Sequence, residues 1–158
     1  MTRSAAAIGL FVMSFVALAC SAPALSPVAA TGTPAVTATA AAARVVITFK
    51  DFSVASSASS VKAGDVTFEA KNDGKLPHQF VVVKSDLDAA ALPLHEQKEV
   101  DEPKVQIVTR ILDFDSGQAK TVTAKLAPGK YVLLCNVPSH YTSGMFTAFV
   151  VNMPNPRT

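Results

Sequence analysis

About seven short runs of β-branched and aromatic residues, each closed by a turn signal, follow one another between Arg44 and Asn152, and this succession restricts the fold more than any other feature of the chain. Arg44 to Lys50 (RVVITFK), Val66 to Lys71 (VTFEAK), His78 to Lys84 (HQFVVVK) and Lys104 to Phe114 are dense in Val, Ile, Thr and Phe, residues that suit a pleated, half-buried surface. Ala119 to Leu126 alternates, with Val122, Ala124 and Leu126 on one side and Thr121, Thr123 and Lys125 on the other. Lys130 to Cys135 and Met145 to Asn152 complete the series, and Asn72-Asp73-Gly74 and Pro128-Gly129 are turn signals between runs. The spacing predicts an all-β domain, a β-sandwich of about seven to eight strands, rather than an α/β fold. Asp86 to His95 is the one stretch with helical character, through Leu87, Ala89, Ala90, Ala91 and Leu92, and Pro93 limits it. The acidic segment from His95 to Pro103 reads as an exposed loop, with His95 a solvated side chain.

The rest of the 158 residues divides into two further parts. Arg3 precedes an apolar and small-residue run, Ala5 to Ala19. A bilayer-spanning helix needs roughly 20 apolar residues, so this run fits a secretory leader over residues 1–20 better than a permanent span. Two processing routes stay open. Ala17-Leu18-Ala19 suits an ordinary signal peptidase, while small residues directly before Cys20 resemble a relaxed bacterial lipobox, which would place a lipid anchor there. Residues 21–43 are almost all Ala, Thr, Pro, Ser and Val, with no charge; they lack the bulk and periodicity to offset the entropy of ordering, and are expected to form a disordered tether. Residues 44–158 are then one domain. The expected location is the periplasm or the outer face of the cytoplasmic membrane.

Cysteine use sharpens this picture. With the leader set aside, Cys135 is the only thiol of an exported domain. Exported proteins generally pair or avoid free thiols, so something is expected to occupy that sulfur. Net charge over the chain is +2, and charges in the domain nearly balance, which gives no electrostatic case for nucleic acid or an acidic membrane surface as partner.

The chemistry-bearing constellation lies between the last two β runs: Cys135-Asn-Val-Pro-Ser-His140-Tyr-Thr-Ser-Gly-Met145, a C-x4-H-x4-M pattern. Cys ends one strand, Met begins the next, and His sits in the connecting loop. His78 opens another strand and can reach the same end of a sandwich. A thiolate and two imidazoles in a trigonal set, with a thioether as weak axial ligand, describe a blue-copper electron-transfer centre. Taken singly, each residue has a structural explanation, a buried thiol, a surface histidine and a core methionine; their joint spacing and placement favour the metal site on His78, Cys135, His140 and Met145.

The segments Asn72-Asp-Gly-Lys-Leu-Pro-His78 and Gly129-Lys-Tyr-Val-Leu-Leu-Cys135 to Met145 resemble the copper-binding cupredoxins, and the C-x4-H-x4-M spacing is similar to their rusticyanin, sulfocyanin and auracyanin types. The resemblance covers Arg44 to Asn152. It implies a Greek-key sandwich, one type 1 copper on the four matching residues, and one-electron transfer. It also implies that the backbone N–H of Gln79 donates to the Cys135 sulfur. The chain departs from many relatives at Ser139, where Gly precedes the second His, and Ser fits there unless the backbone needs positive φ.

Competing chemistries lack their parts. A Cys–His hydrolase needs an orienting group and an oxyanion site, and leaves Met145 without a role. A catalytic metal site needs an open coordination position, which four protein ligands do not leave. Multicopper oxidases and binuclear copper centres need paired His motifs or a second nearby Cys, both missing from the sequence. An electron carrier working with redox partner proteins is therefore expected, not an enzyme; a periplasmic copper carrier or buffer with the same fold is the alternative. Leu76, Pro77, Pro138, Tyr141 and Met145 are expected to form an apolar docking face around the edge of His140.

Overall fold

The structure, a computed structural model, describes residues 42–154. The leader, Cys20, nearly all of the expected tether and the last four residues lie outside the described residues.

Eleven strands form the domain: β1 Ala43–Lys50, β2 Ser53–Ser56, β3 Ser60–Lys62, β4 Gly64–Asn72, β5 His78–Lys84, β6 Leu94–His95, β7 Glu99–Val100, β8 Gln106–Phe114, β9 Ala119–Leu126, β10 Gly129–Leu134 and β11 Phe146–Asn152. Seven of these are the β runs of the sequence, shifted by no more than two residues at any end. Nine of them form two sheets, in the orders β2-β1-β4-β9 and β3-β11-β10-β5-β8. The parallel pairings β1 with β4 and β3 with β11 are crossovers between otherwise antiparallel neighbours.

The inner faces of the two sheets meet in one apolar core. Val45, Ile47 and Phe49 from β1 and Val66, Phe68 and Ala70 from β4 face Phe80 and Val82 from β5, Tyr131 and Leu133 from β10, and Phe149 and Val151 from β11. Alternate residues of each strand point inward because the side-chain period of a strand is two. Phe49 meets Phe80 and Phe114 edge-on at centroid distances of 6.0 and 5.3 Å, and Phe68 meets Phe80 and Phe149 at 5.4 and 5.8 Å. Each such pair adds about 0.5–1.5 kcal/mol beyond its area. Tyr131 closes one end of the core, its hydroxyl donating to the Ala127 carbonyl at 2.7 Å across the Pro128-Gly129 turn.

Strands β5 and β10 read as unbroken apolar runs for a further reason. Their outward residues Val81, Val83, Val132 and Leu134 form a second cluster with Leu92, Val100 and Tyr141. The segment between β5 and β8 covers the outer face of the second sheet, so these two strands are buried on both sides.

That covering segment corrects two expectations. Asp86 to His95 is not helical: residues 85–93 are turns and extended chain, and Leu94–His95 is a strand. Pro93 and the side chain of Asp88, which caps the Ala90 N–H at 3.0 Å, favour a turn over helix continuation. The stretch after His95 is not simply an exposed loop either. β6 and β7 form a small hairpin, with Leu94 opposite Val100, followed by a 3-10 turn at Glu102–Lys104. Its turn holds Glu96 and Gln97 at positive φ (46° and 59°) and closes with Lys98 N–H to His95 O at 3.0 Å. Such turns normally carry Asn and Gly, so Glu-Gln hides the hairpin. His95 itself is exposed, as expected.

Two edge strands also escape the sequence pattern. β2 and β3 are short and rich in Ser, and edge strands need little apolar alternation.

Candidate metal centre

Cys135 directly follows β10, and Met145 directly precedes β11, so the antiparallel β10–β11 pair brings both to one end of the sandwich. The Cys135 N–H donates to the Met145 carbonyl at 3.0 Å, and the Met145 N–H donates to the His140 carbonyl at 3.1 Å. His78 begins β5, the neighbour of β10 on its other side. Cys135, Met145 and His78 are fully buried, and His140 is 8 % exposed.

The three potential ligand atoms converge. His78 Nδ1 and His140 Nδ1 are 3.3 Å apart, and Cys135 Sγ lies 3.7 Å from the first and 3.4 Å from the second. The point equidistant from the corners of that triangle is about 2.0 Å from each, close to first-row metal–imidazole distances of about 2.0–2.1 Å and a little short of a metal–thiolate bond of about 2.3 Å. Among the described residues this is the cluster whose side chains can hold a metal ion together. Met145 is buried in the same core cluster as Cys135, next to the triangle along the chain.

Electrostatics suit a cation rather than the bare residues. Burial pushes the pKa of His78 below its usual value, aided by the neighbouring His140 and opposed by Asp51. Burial likewise lowers His140, again opposed by Asp51. Both rings are held neutral, which keeps a lone pair available for a metal. Burial raises the Cys135 thiol, and backbone N–H groups of Gln79 and Val137 work against that shift by favouring the thiolate. A cation in the triangle would complete what these N–H groups begin, since thiolate ligation displaces the proton.

The surrounding chain explains how these positions are held. Asn72, buried at the end of β4, accepts from the Gly74 N–H at 2.9 Å and donates to the carbonyls of Leu76 and Phe114 at 2.8 and 3.0 Å. One side chain therefore shapes the loop that delivers His78. Phe49 stacks on the His78 ring at 5.6 Å and 28°. Between His78 and Phe80 the β5–β8 register slips, and the Gln79 N–H there donates to Cys135 Sγ at 3.3 Å, as the family resemblance implied.

The loop from Cys135 to Met145 is braced from the covering segment. The Ser139 N–H donates to the Lys98 carbonyl at 3.0 Å. Asn136 accepts from the Val100 N–H at 2.8 Å and donates to the Val100 carbonyl and to Glu102, which itself holds Arg110 in a two-point ion pair. Ser139 has φ of 70°, so the condition under which Ser is unfavourable there is met.

The expected docking face needs revision. Leu76, at 40 %, is exposed, and Pro77 and Pro138 are exposed too. Tyr141 is buried against the other side of the loop, its hydroxyl donating to Ala89 O at 2.7 Å and accepting from Leu92 N at 3.1 Å. Met145 points into the core. Their place is taken by Phe52, 53 % exposed, whose ring meets His140 edge-on at 5.9 Å. The sequence reading passes over Phe52 because it sits in the two-residue β1–β2 turn with φ of 63°, where Gly or Asn is the usual signal.

No protein-family model matches the chain, and no curated protein matches it. Solved structures do. A dithionite-reduced auracyanin from Roseiflexus castenholzii is 25% identical with a TM-score of 0.54, the likeness covering 72% of this chain and 99% of that one. Auracyanin A, a "blue" copper protein from Chloroflexus aurantiacus, is 22% identical with a TM-score of 0.50 over 69% of this chain and 98% of its own. Rusticyanin from Thiobacillus ferrooxidans is 20% identical with a TM-score of 0.53 over 69% and 76%. The fold is that of the cupredoxins.

Proposed function

We propose that this cupredoxin domain holds one copper ion on His78, Cys135, His140 and Met145 and passes single electrons to and from redox partner proteins. The triangle of Cys135 Sγ and the two Nδ1 atoms carries the reading, because its 3.3–3.7 Å sides are sized for one ion and its chemistry is that of a type 1 site. Bound copper would supply a one-electron couple at the centre. The residues supply the rest: neutral imidazoles, a thiolate favoured by two backbone N–H groups, and a buried, braced loop that resists rearrangement when the charge changes. Four protein ligands leave no open position for a substrate, which favours an electron carrier over an enzyme.

His140 is the proposed ligand nearest solvent; Phe52 meets its ring, and Leu76, Pro77 and Pro138, exposed and within two residues of His78 or His140 along the chain, would extend an apolar rim around that edge. A redox partner with an apolar contact patch would bring its own centre close to His140 there. Export of the domain is supported by Arg3 and the Ala5–Ala19 run, and a tether at the membrane by Cys20 and the uncharged stretch after it. Intact mass of the mature chain distinguishes a cleaved leader from a lipidated Cys20.

The deciding experiment is an absorption spectrum of the Cu(II)-loaded protein beside Cys135→Ser. An intense visible thiolate-to-copper band that cycles reversibly in the wild type and vanishes in the variant is expected. A colourless wild type that binds only Cu(I) would overturn electron transfer and leave a copper carrier or buffer.

A further inference from the structure

Behind the His78 ligand, on the side away from the triangle, lies a carboxylate that the four-ligand description does not use. Asp51 occupies the β1–β2 turn, and its Oδ1 accepts the N–H groups of Lys75 and Leu76 at 2.8 and 3.1 Å. The same oxygen is 3.8 Å from His78 Nε2. That distance is too long for a hydrogen bond, and Nε2 is a buried polar atom with no hydrogen-bond partner among the described residues. Gly74 closes the space between them: a side chain there would collide with Asp51 and come within 3.2 Å of Nε2.

We infer that Asp51 acts on the copper through His78: it keeps a fixed negative charge behind that ring, which lowers the reduction potential of the bound copper. This rests on the copper reading above. With Nδ1 directed at the ion, the imidazole proton resides on Nε2, and that N–H edge faces Asp51. The oxidised ion draws electron density from the ring more strongly than the reduced ion does, so the edge is more positive in the oxidised state. A carboxylate facing it stabilises the oxidised state more. The two amide bonds to Oδ1 fix where the charge sits, and the loop they hold is the one that delivers His78.

The test compares the copper-loaded full chain with Asp51→Asn, which keeps an oxygen for the two amides and removes the charge, and with Asp51→Ser as a second uncharged replacement. Voltammetry should show both variants shifted to more positive potential, favouring the reduced state about fivefold, on the order of 40 mV at 59 mV per decade for one electron. The visible band and the EPR spectrum should be unchanged. Potentials equal to the wild type overturn the inference, as does a shift accompanied by an altered EPR spectrum, which reports displaced ligands instead of a removed charge. A wild type without the visible band would instead overturn the copper reading itself.

Discussion

The backbone N–H of Gln79 points at the sulfur of Cys135 from 3.3 Å, across two neighbouring strands. It is free to do so because the β5–β10 ladder ends at the Val81–Leu134 pair, so no carbonyl of β10 claims this N–H. A donor to a metal-bound thiolate withdraws charge from it and disfavours the oxidised ion. Gln79→Pro should therefore lower the reduction potential and shift the visible band, and voltammetry with absorption spectroscopy checks both.

Ser139 adopts the left-handed conformation with φ of 70°, and its hydroxyl makes no hydrogen bond within the described residues. Placing a side chain there costs about 1–2 kcal/mol, part of which Gly returns through a freer unfolded chain. Ser139→Gly should be net stabilising by up to about 1 kcal/mol, with the copper spectrum intact. Denaturant unfolding of both proteins measures it.

Asn136 joins the strand of Cys135 to the β6–β7 hairpin through Val100 and to Glu102. Asn136→Leu leaves the Val100 N–H buried without its partner, a loss of about 1–3 kcal/mol. The ligand loop should loosen with it, seen as faster copper loss to a chelator. An unchanged loss rate at reduced stability would show that the brace serves the fold alone.

Tyr131 holds its hydroxyl proton more tightly than a free tyrosine because burial disfavours the phenolate. A folded pKa above the unfolded value means that this contribution is complete below about pH 10 and is lost as pH rises through the folded pKa. Tyr131→Phe should cost about 1 kcal/mol near neutral pH, and its alkaline loss of stability should be shallower. Thermal unfolding at a series of pH values from 7 to 11 resolves the two effects.

Phe52 is the large apolar side chain exposed against His140, and Leu76 is exposed two residues before His78. Leu76→Glu and Phe52→Ala should slow electron exchange with a redox partner, or self-exchange between copies, while leaving the spectrum unchanged. Stopped-flow rates at fixed ionic strength check this, and equal rates would remove the apolar rim as the contact surface.

The convergence of three of the proposed ligands is legible because Cys135, His140 and Met145 share one loop, and a loop between two strands needs no tertiary information to bring its residues together. Runs of β-branched and aromatic residues likewise announced the seven long strands, whether one face is buried or, as in β5 and β10, both. His78 depended on which strand lies beside β10, and only the sheet order β10-β5 places it. The covering segment was misread in part: Leu92 and Val100 are buried against the outer face of a sheet, a partner that no local pattern specifies. Glu96-Gln97, Asp51-Phe52 and Ser139 were hidden for a different reason. Their turns take positive φ without Gly or Asn, so the usual local signal is missing. The sequence by itself thus determined the class of fold and which side chains the proposed centre would use. Tertiary structure decided what surrounds the centre, with Asp51 behind one imidazole, Phe52 against the other and Tyr141 turned away, because those contacts join segments far apart in the chain and are settled by packing rather than by local preference.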